Sequence, residues 1–203
     1  MIEIPPLVLA SASPRRRECL DMLGLRYTVH PARISEHERP GESAVEYVER
    51  LAQEKALTVA AQFPEALVLA GDTVVVVDNE ILGKPEDSAE AKSMLIRLSG
   101  RSHTVASGVA LAFPPDNVRS GVSTTEVVFR PFQAETASAY VATGEPLDKA
   151  GAYAIQGLGA SLVSEIAGDY YTVVGLPVPL FFDLLRESGW EYSFGSLVGG
   201  ERA

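Results

Sequence analysis

Leu67-Val68-Leu69-Ala70-Gly71-Asp72-Thr73-Val74-Val75-Val76-Val77, followed by Asp78-Asn79 and then Glu80-Ile81-Leu82-Gly83-Lys84-Pro85, decides the fold class. A long run that is almost entirely apolar and ends in four valines reads as a buried strand. Asp78-Asn79 is a turn pair, and Ile81-Leu82 returns as a second strand. Upstream, residues 43–62 form an amphipathic helix, with Val45, Val48, Ala52 and Val59 on one stripe and Leu51 and Ala56 beside it. Earlier still, Leu7-Val8-Leu9-Ala10 reads as a short buried strand, and a helix begins near Ser13 and stops at Gly24. Downstream, helices are expected over 86–98, 134–142 and 179–188, and paired strands over 105–113 and 122–129. Strands and helices are intermixed and hairpins are present. The class is therefore α/β, a mixed twisted sheet with flanking helices. Pro114-Pro115-Asp116-Asn117 reads as a loop tip, and no linker separates domains. One domain over 1–192 is expected, with a fraying, Gly-rich tail over 193–203.

The 203 residues are 46% hydrophobic and 22% charged, the balance of a globular protein. Seventeen Lys and Arg against 27 Asp and Glu give a net charge of −10. No cationic surplus exists to neutralise a nucleic-acid backbone, so a polymer binder is not expected. A small anion would need a local basic site working against the global field. The single cysteine, Cys19, excludes an internal disulfide and a multi-cysteine zinc site, which fits a reducing compartment. No apolar run approaches bilayer length, and Met1-Ile2-Glu3-Ile4-Pro5 lacks signal-peptide features, so a cytoplasmic location with no membrane partner is expected.

Several residues break local rules. In Ser11-Ala12-Ser13-Pro14-Arg15-Arg16-Arg17, Ser13 is a favoured N-cap and Pro14 a favoured first helical residue. Three arginines then fill the first turn, the wrong sign for the helix dipole. Either they simply point into water, or they and the serines join the helix N–H groups in holding phosphate. Asp72 lies inside an apolar strand, where a carboxylate is costly unless paired or metal-bound. It is a candidate general base, a metal ligand or a satisfied structural acid. Lys55 sits in the apolar stripe of its helix, so it must snorkel, pair with a carboxylate or meet an anion. If Asp78-Asn79 is a two-residue turn, Lys84 comes opposite Thr73. Asp148-Lys149-Ala150-Gly151-Ala152-Tyr153-Ala154-Ile155-Gln156-Gly157 reads as a loop running into a short strand. The Gln156 amide offers donors and an acceptor, as base-edge recognition requires. Glu36 is a further loop carboxylate. His30, His37 and His103 show no metal-like spacing.

Leu9-Ala10-Ser11-Ala12-Ser13-Pro14-Arg15-Arg16, Gly71-Asp72-Thr73, Gly83-Lys84-Pro85, Leu98-Ser99-Gly100 and Val174-Gly175-Leu176-Pro177 together resemble the Maf family of nucleoside triphosphate pyrophosphatases. The resemblance runs from about Leu7 to Gly189. The segment 148–157 is similar to the branch that hydrolyses dTTP and UTP, whereas the sister branch, linked to 7-methyl-GTP, usually carries Glu at Gln156. The resemblance implies an inosine-triphosphatase-like fold with two lobes around a deep cleft. It also implies cleavage between the α and β phosphates, a divalent metal (Mg2+ or Mn2+) and a homodimer. The implied role is to keep non-standard nucleotides out of nucleic acid, with a link in some members to septum formation.

By motif, the resemblance makes Asp72 the proton acceptor and places Glu36, Lys55 and Lys84 in the catalytic site. Arg15, Thr73 and Gln156 fall to base selection, and Ser11, Ser13 and Arg16 to substrate binding. Asp72 and Glu36 would hold the metal. Rival expectations are the sister-branch activity, a house-cleaning enzyme for deaminated purines, and a nucleotide-binding regulator of division without important turnover.

Overall fold

The computed structural model describes residues 4–113 and 117–200. The order along the chain is β1 (Leu7–Leu9), α1 (Pro14–Met22), β2 (Tyr27–Val29), α2 (Ala44–Ala60), β3 (Leu67–Val77) and β4 (Glu80–Leu82). Then come α3 (Ser88–Leu98), β5 (Ser102–Phe113), β6 (Asn117–Phe129), α4 (Ala134–Val141), β7 (Val163–Ala167), α5 (Tyr170–Val174), α6 (Val178–Glu187), β8 (Trp190–Ser193) and β9 (Ser196–Gly199). The main sheet has seven strands in the order β2-β1-β3-β5-β6-β7, with β4 paired to β3. β1 runs parallel to both β2 and β3, while β4 and β7 are antiparallel to their partners. The mixed α/β sheet with flanking helices is thus observed.

The expected turn at Asp78-Asn79 is present, with φ of 54° and 62°, and Val77 pairs with Glu80. The ladder ends at Val75–Leu82, short of Thr73 and Lys84. Helix α2 begins where a capping box closes its first turn. Ser43 Oγ accepts from Glu46 N, and Glu46 accepts from Ser43 N at 2.8 Å.

The chain forms two compact units. The first comprises residues up to Asp72, then 107–123 and from Gly175 onward, and the second comprises 73–106 and 124–174. The boundaries cut β3, β5 and β6 within their length. One core cluster of the first unit is built of small residues, with Ala52, Ala56 and Val59 of α2 against Val8, Ala10, Val68, Ala70, Ala110 and Ala112 of the strands, while Leu9, Leu51, Leu69 and Phe181 of the same unit are also fully buried. The core of the second gathers Val75, Val77, Leu95, Leu98, Phe129, Tyr140 and Tyr153.

Several expectations meet a different local structure. Within the tail expected to fray, residues 193–199 carry regular structure: β8 and β9 pair as a hairpin around Phe194-Gly195, both at positive φ. Tyr192 stacks on Phe182 at 4.7 Å and donates to the Leu23 carbonyl, and Leu197 is buried. Small, polar composition hid a turn that needs glycine. Residues 201–203 lie outside the described residues. The segment 148–157, expected as a loop running into a short strand, holds no strand: Ala150–Ala152 form a 3-10 turn with Gly151 and Ala152 at positive φ, and 153–156 are irregular. Val45, expected on the buried stripe, is 44% exposed, and Tyr47 takes the inward place. Of the loop tip expected at 114–117, residues 114–116 lie outside the described residues, and Asn117 already opens β6. Among the described residues no helix is long and apolar enough to cross a membrane.

Candidate functional site

The carboxyl ends of β1 and β3 bring the first cluster together. Leu9 pairs with Leu69, and Ala10 N donates to the Leu69 carbonyl at 2.7 Å. The chain then leaves β1 through Ser11 and Ser13 into α1, while β3 continues to Gly71 and Asp72. Such strand ends in parallel sheets are where ligands usually bind.

Asp72 is 9% exposed and Lys55 8%. The Lys55 ammonium sits 2.6 Å from Asp72 Oδ1 and 2.6 Å from Glu36 Oε1. Of the three outcomes open to a lysine in an apolar stripe, pairing is the one observed. The small residues beside Lys55 on α2 let the helix lie close to the strands. At Gly108 of β5 an added Cβ would stand 2.3 Å from the Val48 carbonyl oxygen. Glu36 comes from a loop rather than an element, and Tyr47 and Arg50 of α2 secure that loop. Tyr47 donates to the Glu36 carbonyl at 3.0 Å. Arg50 donates to the His37 carbonyl and forms a two-pronged pair with Glu42. Burial, with the charges of Asp72 and Glu36 behind it, pushes the Tyr47 hydroxyl up to about 12, so it remains a donor. Neither residue was singled out from the sequence. The available signal was the Ser43–Glu46 capping box, which fixes where the loop ends and α2 begins.

The arginines of α1 divide. Arg16 is buried and donates from Nε to the Gly175 carbonyl at 2.8 Å and from Nη1 to Ser11 Oγ at 2.9 Å. Burial pulls its pKa below the ordinary arginine value, and the charges of Asp72 and Glu36 oppose that pull. Two donors of the Arg16 fork thus hold protein oxygens, Gly175 O and Ser11 Oγ. Gly71 leaves room for it: a Cβ there would lie 3.1 Å from Arg16 Nε and 2.9 Å from the Gly108 carbonyl oxygen. Arg15 is half-buried and Arg17 exposed. Ser13 is the N-cap residue as expected, but its side chain makes no cap hydrogen bond. The Ser11 hydroxyl accepts from Ser13 N at 3.2 Å.

Glu36, Lys55, Asp72, Ser11 and Arg16 therefore form one neighbourhood of the first unit, linked by hydrogen bonds, ion pairs and charge. Two cations there face two anions, Lys55 and Arg16 against Glu36 and Asp72, so the set is neutral by itself. Thr73, Lys84 and Gln156 belong to the second unit. Thr73 and Gln156 are half-buried and Lys84 is exposed.

Glu36 and Asp72 supply carboxylate oxygens, the donor type magnesium and manganese prefer. Among the described residues no group of three or more His, Cys, Asp or Glu is placed to hold a metal ion. The donor set fits an ion that takes one or two carboxylates and completes its shell with water and phosphate oxygens, and does not fit an all-protein cage.

A family profile described as "Maf-like protein" matches residues 6–188. The chain is 50% identical over 184 residues to a protein of Symbiobacterium thermophilum named dTTP/UTP pyrophosphatase, covering 91% of this chain and 94% of that one. It is 53% identical over 185 residues to a Moorella thermoacetica protein of the same name, covering 90% and 95%. Among solved structures, a nucleoside-triphosphatase (dITP/XTP pyrophosphatase) from Mycobacterium abscessus aligns over 61% of this chain and 74% of that chain at 16% identity, with a TM-score of 0.40.

Proposed function

The chain belongs to the Maf family, and from that membership we propose that it hydrolyses dTTP and UTP to the nucleoside monophosphate and pyrophosphate. The observation that carries the reading is the buried Lys55 ammonium held at 2.6 Å by both Asp72 and Glu36, beside the arginine-bearing start of α1.

Charge sets the requirements. A nucleoside triphosphate brings about four negative charges, and phosphoryl transfer is catalysed mostly by positioning and electrostatic stabilisation. Lys55 and Arg16 are already matched by two carboxylates, so the neighbourhood needs further positive charge. Arg15, at the second position of an uncapped helix, supplies part of it together with the helix N–H groups. Asp72 and Glu36 would hold Mg2+ or Mn2+, which would supply further positive charge and polarise the phosphoryl group.

Asp72 holds Lys55 through Oδ1 and takes the proton of the attacking water on Oδ2. The water oxygen bonds to phosphorus, the anhydride bridge between the α and β phosphates breaks, and pyrophosphate leaves. Ser11 fixes the Arg16 fork, and Ser13 lends its hydroxyl to phosphate. Lys84 counters phosphate charge, while Thr73 and Gln156 of the second unit read the pyrimidine.

Pyrophosphate release tests this, measured on dTTP, UTP, dGTP and dATP with and without magnesium, for the chain and for Asp72→Asn. The pyrimidine nucleotides are expected to turn over fastest, and only with the metal. Asp72→Asn is expected to lose at least about 100-fold in rate. Its unfolding midpoint stays close to that of the parent, because an asparagine oxygen still accepts from Lys55. A parental rate in Asp72→Asn removes Asp72 from the reaction, and no pyrophosphate from any nucleotide removes the enzymatic reading.

A further inference from the structure

The segment around Gln156 is held in an unusual way. Gln156 is the N-cap residue of the 3-10 helix Gly157–Leu162, yet its side chain makes no cap hydrogen bond. An N-cap side chain ordinarily accepts from the second or third N–H of the helix, here those of Leu158 and Gly159. Both go instead to Glu145, an acid eleven residues upstream. Leu158 N donates to Glu145 Oε2 at 3.0 Å, and Gly159 N donates to Glu145 Oε1 at 2.9 Å. Tyr140 of α4 completes the clamp. Its hydroxyl donates to Glu145 Oε1 at 2.8 Å and accepts from Ala154 N at 3.2 Å. Gln156 is thus flanked on both sides by backbone N–H groups tied to one Tyr–Glu pair.

The glycines of the segment make that clamp possible. Gly157 has φ +66°, and a Cβ there would stand 2.7 Å from Glu145 Oε2. At Gly159 a Cβ would meet the Ala154 carbonyl oxygen at 2.3 Å and the Tyr140 hydroxyl at 2.4 Å. Burial raises the Glu145 pKa, but the N–H donors of Gly159 and Leu158, the Tyr140 hydroxyl and the charge of Lys149 outweigh it and hold the value below that of an ordinary glutamate. Lys149 also ties down the Glu145 backbone, donating to its carbonyl at 2.7 Å. The acid therefore stays an acceptor with both oxygens engaged.

We propose that Glu145, braced by Tyr140, is a positioning residue for nucleotide selection: it caps the Gly157–Leu162 helix in place of Gln156 and so leaves the Gln156 amide aimed at the base. This rests on Gln156 reading the base, as proposed above. Reading a pyrimidine edge and capping the helix compete for the same Gln156 oxygen, which each task wants in a different place. A cap borrowed from another segment removes that competition and fixes the backbone from which the amide projects.

The test compares kcat and KM for dTTP and dGTP in Glu145→Ala, Tyr140→Phe, Gln156→Ala and the Glu145→Ala/Gln156→Ala double variant, with unfolding midpoints measured alongside. Glu145→Ala is expected to lower kcat/KM for dTTP about tenfold, mostly through KM, and to move dGTP by no more than about twofold. Tyr140→Phe shifts the same ratio in the same direction by less, and carries the test if Glu145→Ala does not fold. Adding Glu145→Ala to Gln156→Ala leaves the ratio where Gln156→Ala alone put it, because the two act through one amide. Equal losses on both nucleotides mean a merely structural clamp and overturn the proposal. If Gln156→Ala changes the ratio but neither clamp variant does, the positioning role alone falls. A ratio unmoved by Gln156→Ala removes base reading by Gln156, and the role of Glu145 falls with it.

Discussion

Lys55 carries one charge and meets two carboxylates, and that imbalance is the chemistry of the residue scale. Removing one partner of a buried ion pair ordinarily costs about 3–5 kcal/mol. Here either acid still has a second to share the load, which is why Asp72→Asn separates chemistry from folding. His103 shows the opposite case, a buried titratable group with no charged partner. It is 3% exposed, its Nε2 lies 2.8 Å from the Tyr153 hydroxyl, and its ring stands edge-on to Phe129. Its Nδ1 has no hydrogen-bond partner among the described residues. Burial pushes its pKa down to about 4. The unfolded chain, with an ordinary histidine near 6.5, then binds more protons than the folded one between those values. Stability from this group is therefore complete above about pH 6.5 and is lost as pH falls toward 4, by up to roughly 3 kcal/mol. Urea midpoints measured from pH 7.5 to 5 are expected to fall for the chain and to stay nearly level for His103→Gln. An equal fall in both assigns the acid sensitivity to other groups.

At the scale of elements, the approach of α2 to β5 decides where Lys55 stands. The approach is possible because Gly108 has no side chain: a Cβ would lie 2.3 Å from the Val48 oxygen, 2.6 Å from its carbon and 2.9 Å from Glu49 N. These are backbone atoms within the helix and cannot swing aside. Gly108→Ala is expected to cost on the order of 3 kcal/mol, read as a drop in the thermal midpoint, and to cut dTTP hydrolysis by displacing Lys55. Gly83→Ala is the control, since nothing lies within 4 Å of its Cβ direction. A Gly108→Ala protein as stable as the parent would show that α2 can slide without penalty. The same elements show what a one-dimensional reading catches. β3 and α2 were legible because their periods are long and regular, and Asp72 and Lys55 because a charge inside such a pattern must be compensated. β2 was not legible, being three residues long and mostly exposed. Nor was the second role of Arg16, whose partner Gly175 lies 159 residues away and is recognised only once the chain is folded. The cap of the Gly157–Leu162 helix escaped for a related reason, because the acid that supplies it stands outside the helix it caps.

On the scale of the whole molecule, two cores are joined by strands that neither owns. β3 passes from one unit to the other after Asp72, β5 after Ala106 and β6 after Ser123. A strand cannot melt at one end of its hydrogen-bonded ladder without weakening the other, so the two cores should unfold as one. Phe129 and Trp190 make this measurable. Phe129 is fully buried in the second unit, packed edge-on against the His103 and Tyr153 rings. Trp190, the single tryptophan, opens β8 in the first unit and reports only on its own surroundings. Phe129→Ala removes a large buried ring and is expected to cost about 3–5 kcal/mol. If the strands couple the units, Trp190 fluorescence and far-ultraviolet circular dichroism will shift to the same lower midpoint in that variant, with calorimetric and van't Hoff enthalpies agreeing. If the fluorescence transition stays at the parental temperature while the dichroism splits in two, the units are thermodynamically independent.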